Sequence, residues 1–112
     1  FPIMHVVALR RDVYEANRWA ARALYKAFVE AKARVAEELL VTASLKTMLP
    51  WQVAAVEQAR GLLGDDWWPY GLERNRAVLD TFLRYHHEQG LSPRRLQPED
   101  LFAKECLEEF RI

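Results

Sequence analysis

Residues 3–9, Ile3-Met4-His5-Val6-Val7-Ala8-Leu9, form a short apolar run rich in β-branched side chains, and Arg10-Arg11-Asp12 brings it to a stop. Such a run reads as a strand buried on both faces. No comparable run follows, because from Asp12 onward the apolar residues recur at spacings of three and four. A lone strand leaves its backbone N–H and C=O groups unpaired, and burying them in that state costs as much as losing several hydrogen bonds. The partner strands must therefore come from elsewhere. The chain reads as a mostly α fragment of a larger α/β protein, with a strand in residues 1–11 and a helical segment in residues 12–112.

The helical segment carries its own punctuation. Asp12 with Glu15 makes a candidate capping box, and Asn17 is a second N-cap candidate for a helix running to about residue 40. On that helix Ala20, Leu24, Ala27, Phe28, Ala31 and Val35 share one face, the face expected to lie on a sheet, while Arg18, Arg22, Lys26, Lys32 and Arg34 take other faces. Residues 42–47 read as a short helical turn. Pro50 suits the first turn of the next helix, whose apolar positions are Trp51, Ala55, Ala59, Leu62 and Leu63 before Gly64. Residues 64–71 are a loop by their Gly and Pro content. A last long helix spans residues 72–89, with Asn75, Val78, Leu79, Phe82 and Tyr85 on one side. Gly90 takes the left-handed stop position, Leu91 makes the accompanying apolar contact and Pro93 blocks continuation. Residues 98–110 offer one or two short turns anchored by Leu101, Phe102, Leu107 and Phe110.

Composition enters chiefly by exclusion. The 112 residues make one domain at most, and 51% apolar content supplies a modest core. Sixteen basic residues cancel 16 acidic ones with both signs scattered, so no basic stripe points to nucleic acid. With Cys106 the lone cysteine, no intrachain disulfide forms, and the thiol reads as a small apolar filler. No apolar run reaches the roughly 18 residues of a membrane span. The exposed strand and apolar helix faces favour homo-oligomers of the isolated chain.

Few residues carry chemistry. His5 lies on the strand; strand ends in α/β proteins commonly face the ligand crevice, and imidazole exchanges protons near neutral pH. It reads either as a general acid or base or as a histidine hydrogen-bonded within the sheet. Trp67, Trp68 and Tyr70 either line a pocket for a flat ligand or plug the loop onto the helices beneath. Asp65 and Asp66 read as solvated turn residues. His86 and His87 point about 100° apart on a helix, the wrong spacing for two ligands of one ion, so no metal is expected there. No phosphate-binding glycine loop, nucleophile elbow or Cys/His cluster appears, and no cofactor is expected.

The strings Phe1-Pro2-Ile3-Met4-His5, Arg10-Arg11-Asp12-Val13-Tyr14-Glu15-Ala16-Asn17 and Met48-Leu49-Pro50-Trp51 resemble the 4,5-dihydroxyphthalate decarboxylase family. So do Gly64-Asp65-Asp66, Trp68-Pro69-Tyr70-Gly71-Leu72-Glu73, Asn75-Arg76, Gln89-Gly90-Leu91-Ser92-Pro93 and Leu101-Phe102-Ala103. The resemblance runs in order along essentially the whole chain and departs at Arg18 and Lys104, where the family commonly has proline, a residue favoured at a first helical position. It implies the carboxy-terminal part of a cytoplasmic protein with a two-lobed, type 2 periplasmic-binding-like fold. The implied reaction, a step of phthalate degradation, removes one carboxylate from a small aromatic dicarboxylate, 4,5-dihydroxyphthalate, and gives protocatechuate. Such chemistry needs a clamp on the carboxylates, a proton donor to the ring carbon and stabilisation of the phenolic oxygens. His5 is the expected donor, Trp68 and Tyr70 the expected substrate contacts, and the clamp is expected from residues outside this chain. A fold of this kind also serves non-catalytic solute-binding proteins, relatives of ABC-transporter receptors, which stands as the alternative reading.

Overall fold

In a computed structural model, residues 5–107 are described and are mostly helical, in the order α1 (Arg11–Ala16), α2 (Arg18–Leu39), α3 (Gln52–Leu63) and α4 (Leu72–Glu88), followed by 3-10 turns at Pro98–Asp100 and Lys104–Cys106. No strand occurs among the described residues. Ile3 and Met4 of the expected strand, and Phe110 of the expected tail anchors, lie outside them. Residues 5–10 are without regular structure and exposed. The physical reason is the one the sequence supplies: a strand exists through ladder bonds to neighbours. The chain divides into two compact units, one comprising residues up to Lys26 together with those from Tyr70 onward, the other Ala27–Pro69; the division falls within α2.

Helix boundaries follow local chemistry closely. Asn17 separates α1 from α2, although its side-chain amide donates back to the Val13 carbonyl at 3.3 Å. Asp12 does not cap α1: that helix begins one residue earlier, and the Asp12 carboxylate is held by Arg10 at 2.5 and 2.6 Å. Arg18 and Lys104 each open a helical element, the first-position role in which proline is favoured. The expected turn of helix in residues 42–47 is absent, and α3 starts after Pro50, at Gln52. At the end of α4, Gly90 adopts φ 74°, its N–H donates to the His87 carbonyl at 2.9 Å, and the Leu91 N–H donates to that of His86 at 3.0 Å. This pair of bonds is a Schellman motif, which satisfies two of the helix's last carbonyls. Its apolar companion Leu91 stays exposed.

In the first unit α4 packs on the turn Pro98–Asp100. Leu72, Asn75, Leu79 and Leu83 are buried along one side of the helix, and Pro98 is fully buried. The buried stripe lies about one residue round from the expected one, so Asn75 and Leu79 belong to it while Phe82 and Tyr85 remain exposed. Arg76 on the same helix binds Glu73 at 2.5 Å and Glu99 of the turn at 2.6 Å. In the second unit Gln52 is the buried residue, with Val53, Val56 and Ala59 of α3 half-buried.

Helix α2 is apolar over a wider arc than the sequence pattern suggests. Ala21 is buried and Tyr25, Val29, Lys32, Ala36 and Leu39 are half-buried, a stripe centred roughly 100° round the helix from the one expected to face a sheet. Of the expected stripe, Ala20 is half-buried while Leu24, Ala27, Phe28, Ala31 and Val35 are exposed.

Candidate functional site

The loop of residues 64–71 is fixed by charge. The Lys32 ammonium, reaching out from α2, donates to Asp66 Oδ1 at 2.8 Å and to the Trp68 carbonyl oxygen at 3.2 Å. Both side chains of the pair are mostly shielded from water, which strengthens the attraction relative to an exposed pair. Asp65 accepts two N–H groups of Arg60, at 2.6 and 3.0 Å, from the last turn of α3. Both carboxylates are thus taken up by cations of their own unit. Lys32 is one of the basic residues placed off the expected apolar stripe; its signal was its place among Tyr25, Val29 and Ala36 on the covered stripe.

Trp68 leaves 47% of its surface open beside this anchored backbone, and Trp67 is half-buried. Trp68 belongs to the second unit and Tyr70, half-buried, to the first. His5 is exposed, in the unstructured segment before α1. His86 is half-buried with its ring 5.6 Å from that of Phe82, and its Nδ1 has no hydrogen-bond partner among the described residues. His87 Nδ1 lies 3.2 Å from the Ser92 carbonyl, to which it donates as the N–H tautomer. Among the described residues no group of three or more His, Cys, Asp or Glu is arranged to hold a metal ion. No helix among them is long and apolar enough to cross a membrane.

A second polar cluster escaped the sequence pattern because its members lie 91 residues apart. The Tyr14 hydroxyl donates to Glu105 Oε2 at 2.7 Å. That hydrogen bond holds the Glu105 carboxyl below its ordinary range and pushes the Tyr14 phenol up. Arg18 lies 3.9 Å from the same carboxylate and 5.7 Å from the centre of the Tyr14 ring. The neighbouring Cys106 thiol is pushed up first by burial and then by the Glu105 charge, so it remains protonated and poorly nucleophilic.

The described residues therefore contain an anchored aromatic loop, an exposed histidine and a Tyr–Glu–Arg cluster, and not an assembled acid, base and carboxylate clamp. No family model matches the chain. A 4,5-dihydroxyphthalate decarboxylase of Comamonas testosteroni is 43% identical to it over all 112 residues, which make up 34% of that protein. The chain spans about a third of the length of this relative.

Proposed function

We propose that the intact protein containing this chain decarboxylates 4,5-dihydroxyphthalate. The observation that carries the reading is the 43% identity to a named decarboxylase over all 112 residues. In this reaction the bond from the ring carbon to one carboxylate breaks, carbon dioxide leaves, and the electron pair left on the ring carbon takes up a proton. His5 supplies that proton, and Trp68 and Tyr70 stack on the aromatic ring once the remainder of the protein brings them to the substrate. The carboxylate clamp comes from that remainder, which also supplies the sheet on which residues 3–9 form a strand. The whole is a cytoplasmic, two-lobed protein of the periplasmic-binding type, of which this chain is the carboxy-terminal part, acting in phthalate breakdown.

The open face of Trp68 supports a stacking role, and the exposure of His5 leaves its ring accessible to a cleft. The test is turnover by the intact protein, followed as release of carbon dioxide and appearance of protocatechuate. Tight binding of 4,5-dihydroxyphthalate without turnover would make the protein a solute-binding relative instead. In the intact protein His5→Ala is expected to lower the rate about a hundredfold, the usual loss on removing a general acid, and His86→Ala to leave it within about twofold. The chain alone is expected to be inactive, since catalysis needs clamp and proton donor held together.

A further inference from the structure

Lys32 lies on the covered stripe of α2, and its ammonium donates both to Asp66 Oδ1, at 2.8 Å, and to the Trp68 carbonyl oxygen, at 3.2 Å. One lysine thus reaches the loop on either side of Trp67. Its side chain is 23% exposed and that of Asp66 31%, so water competes weakly for the charged bond. Pro69 follows Trp68 and disfavours helical backbone angles at the tryptophan. The Trp68 backbone is therefore restrained from both sides, while the residue keeps 47% of its surface open. Lys32, Asp66, Trp68 and Pro69 all belong to the second unit.

We propose that Lys32 is a positioning residue that sets the place of the Trp68 indole as one wall of the site for an aromatic dicarboxylate, a role that rests on the reading of Trp68 as a substrate contact and not on decarboxylation. Its charge does not serve the ligand's carboxylates directly. The ammonium faces Asp66, so the pair carries no net charge to attract an anion, and a ligand carboxylate would have to break that bond to reach the lysine. What Lys32 contributes is preorganisation: a loop residue ordered before the ligand arrives does not have its backbone freedom to lose on binding. A ring wall meets the substrate alike before and during the chemical step, so loosening it weakens binding and leaves the rate of the bound complex unchanged.

The test is a double-mutant cycle in the intact protein, with the affinity for 4,5-dihydroxyphthalate measured by calorimetry and kcat measured in parallel. Trp68→Ala is expected to weaken binding about thirtyfold and Lys32→Met about tenfold, with kcat of Lys32→Met within about twofold of the unmodified protein. The two together should weaken binding about thirtyfold, because a residue that acts through the ring has nothing to act on once the ring is gone. Lys32→Arg, which restores a charged donor, should bind within about threefold of the unmodified protein. A loss of roughly three-hundredfold in the double variant would overturn the inference, since Lys32 would then act independently of Trp68. So would unchanged binding in Lys32→Met. Should Lys32→Met fail to fold, Asp66→Asn, which weakens the ion pair and keeps an acceptor, takes its place in the cycle. Its expected loss of about threefold should vanish in the Trp68→Ala background, and an equal loss in both backgrounds would overturn the inference. If Trp68→Ala binds as tightly as the unmodified protein, the substrate contact falls and the positioning role falls with it. Turnover is read separately: a protein that binds without releasing carbon dioxide, yet shows the same non-additive cycle, supports the positioning role and counts against the proposed reaction.

Discussion

The two compact units of the chain are stabilised in different ways. In the first, one side of α4 disappears from solvent: Leu72, Leu79 and Leu83 are buried with Asn75, and Pro98 closes the contact from the turn that follows. In the second, Gln52 is the buried residue, and Met48, Trp51 and Leu62 are largely open to water. What fixes the second unit is polar instead: Lys32 on Asp66, Arg60 on Asp65, Lys46 on Glu38 and the Thr47 hydroxyl on Gln52. Apolar burial contributes about 25 cal/mol per Å², while each partly exposed ion pair adds less than about 1 kcal/mol. The buried apolar side of α4 therefore contributes more to the first unit than the ion pairs contribute to the second.

That contrast breaks most visibly at two leucines. Leu83→Ala, at a residue 3% exposed, should lower the unfolding free energy by about 2–5 kcal/mol, while Leu62→Ala, at one 75% exposed, should change it by less than about 0.5 kcal/mol. Urea titrations of the two variants measure this, and equal losses would abolish the distinction between the units. A smaller effect is expected at Asn75, whose buried amide donates to the Gly71 carbonyl at 2.8 Å where α4 begins, with Gly71 itself at φ 96°. Asn75→Ala should cost about 1–3 kcal/mol because the carbonyl loses its donor.

Gln52 sharpens the comparison from the other side. Its Oε1 accepts the Thr47 hydroxyl, but its buried Nε2 has no partner among the described residues. Gln52→Leu should therefore raise stability by up to about 1 kcal/mol, since an unsatisfied buried donor is replaced by an apolar group. A loss measured by thermal unfolding would show that the amide is satisfied after all.

The smallest effect is a pH dependence within the first unit. Glu105 is held below its ordinary value by the Tyr14 hydrogen bond, so its contribution to stability is present above the unfolded carboxyl value, about 4.3, and fades as pH falls through the lowered folded value. Tyr14 is raised, so its contribution is present below the unfolded phenol value, about 10, and fades as pH climbs through the raised folded one. Tyr14→Phe should flatten both limbs and move the Glu105 titration, followed by NMR, back toward the usual range. An unmoved Glu105 titration would show that the hydrogen bond does not form in solution.

For the site, the sequence offered candidates and left their arrangement open. Its place on the expected strand singled out His5 and the aromatic content of the loop singled out Trp68 and Tyr70; that loop is non-helical, and the Trp68 carbonyl is held by Lys32. Nothing in the pattern gave the Lys32 to Asp66 bond, which joins residues 34 apart, because a lysine on a helix reads as solvated until the loop that meets it is known.

The sequence by itself determined the long helices and most of their ends, but not the strand of residues 3–9 or the turn of residues 42–47 it suggested. The periods of three and four in α2 and α4, Asn17 between helices and Gly90 after the last long one are local features, legible because each acts through backbone geometry within a few residues. It also carries the likeness to the Comamonas testosteroni decarboxylase, 43% identical over the 112 residues. Only the tertiary structure decided which apolar stripe of α2 is covered, Ala21 to Leu39 and not Ala20 to Val35, and that Tyr14 meets Glu105 across 91 residues. Burial and long-range hydrogen bonds depend on which surfaces are present to meet. A helix apolar over half its circumference offers two faces, and its own residues cannot say which neighbour arrives.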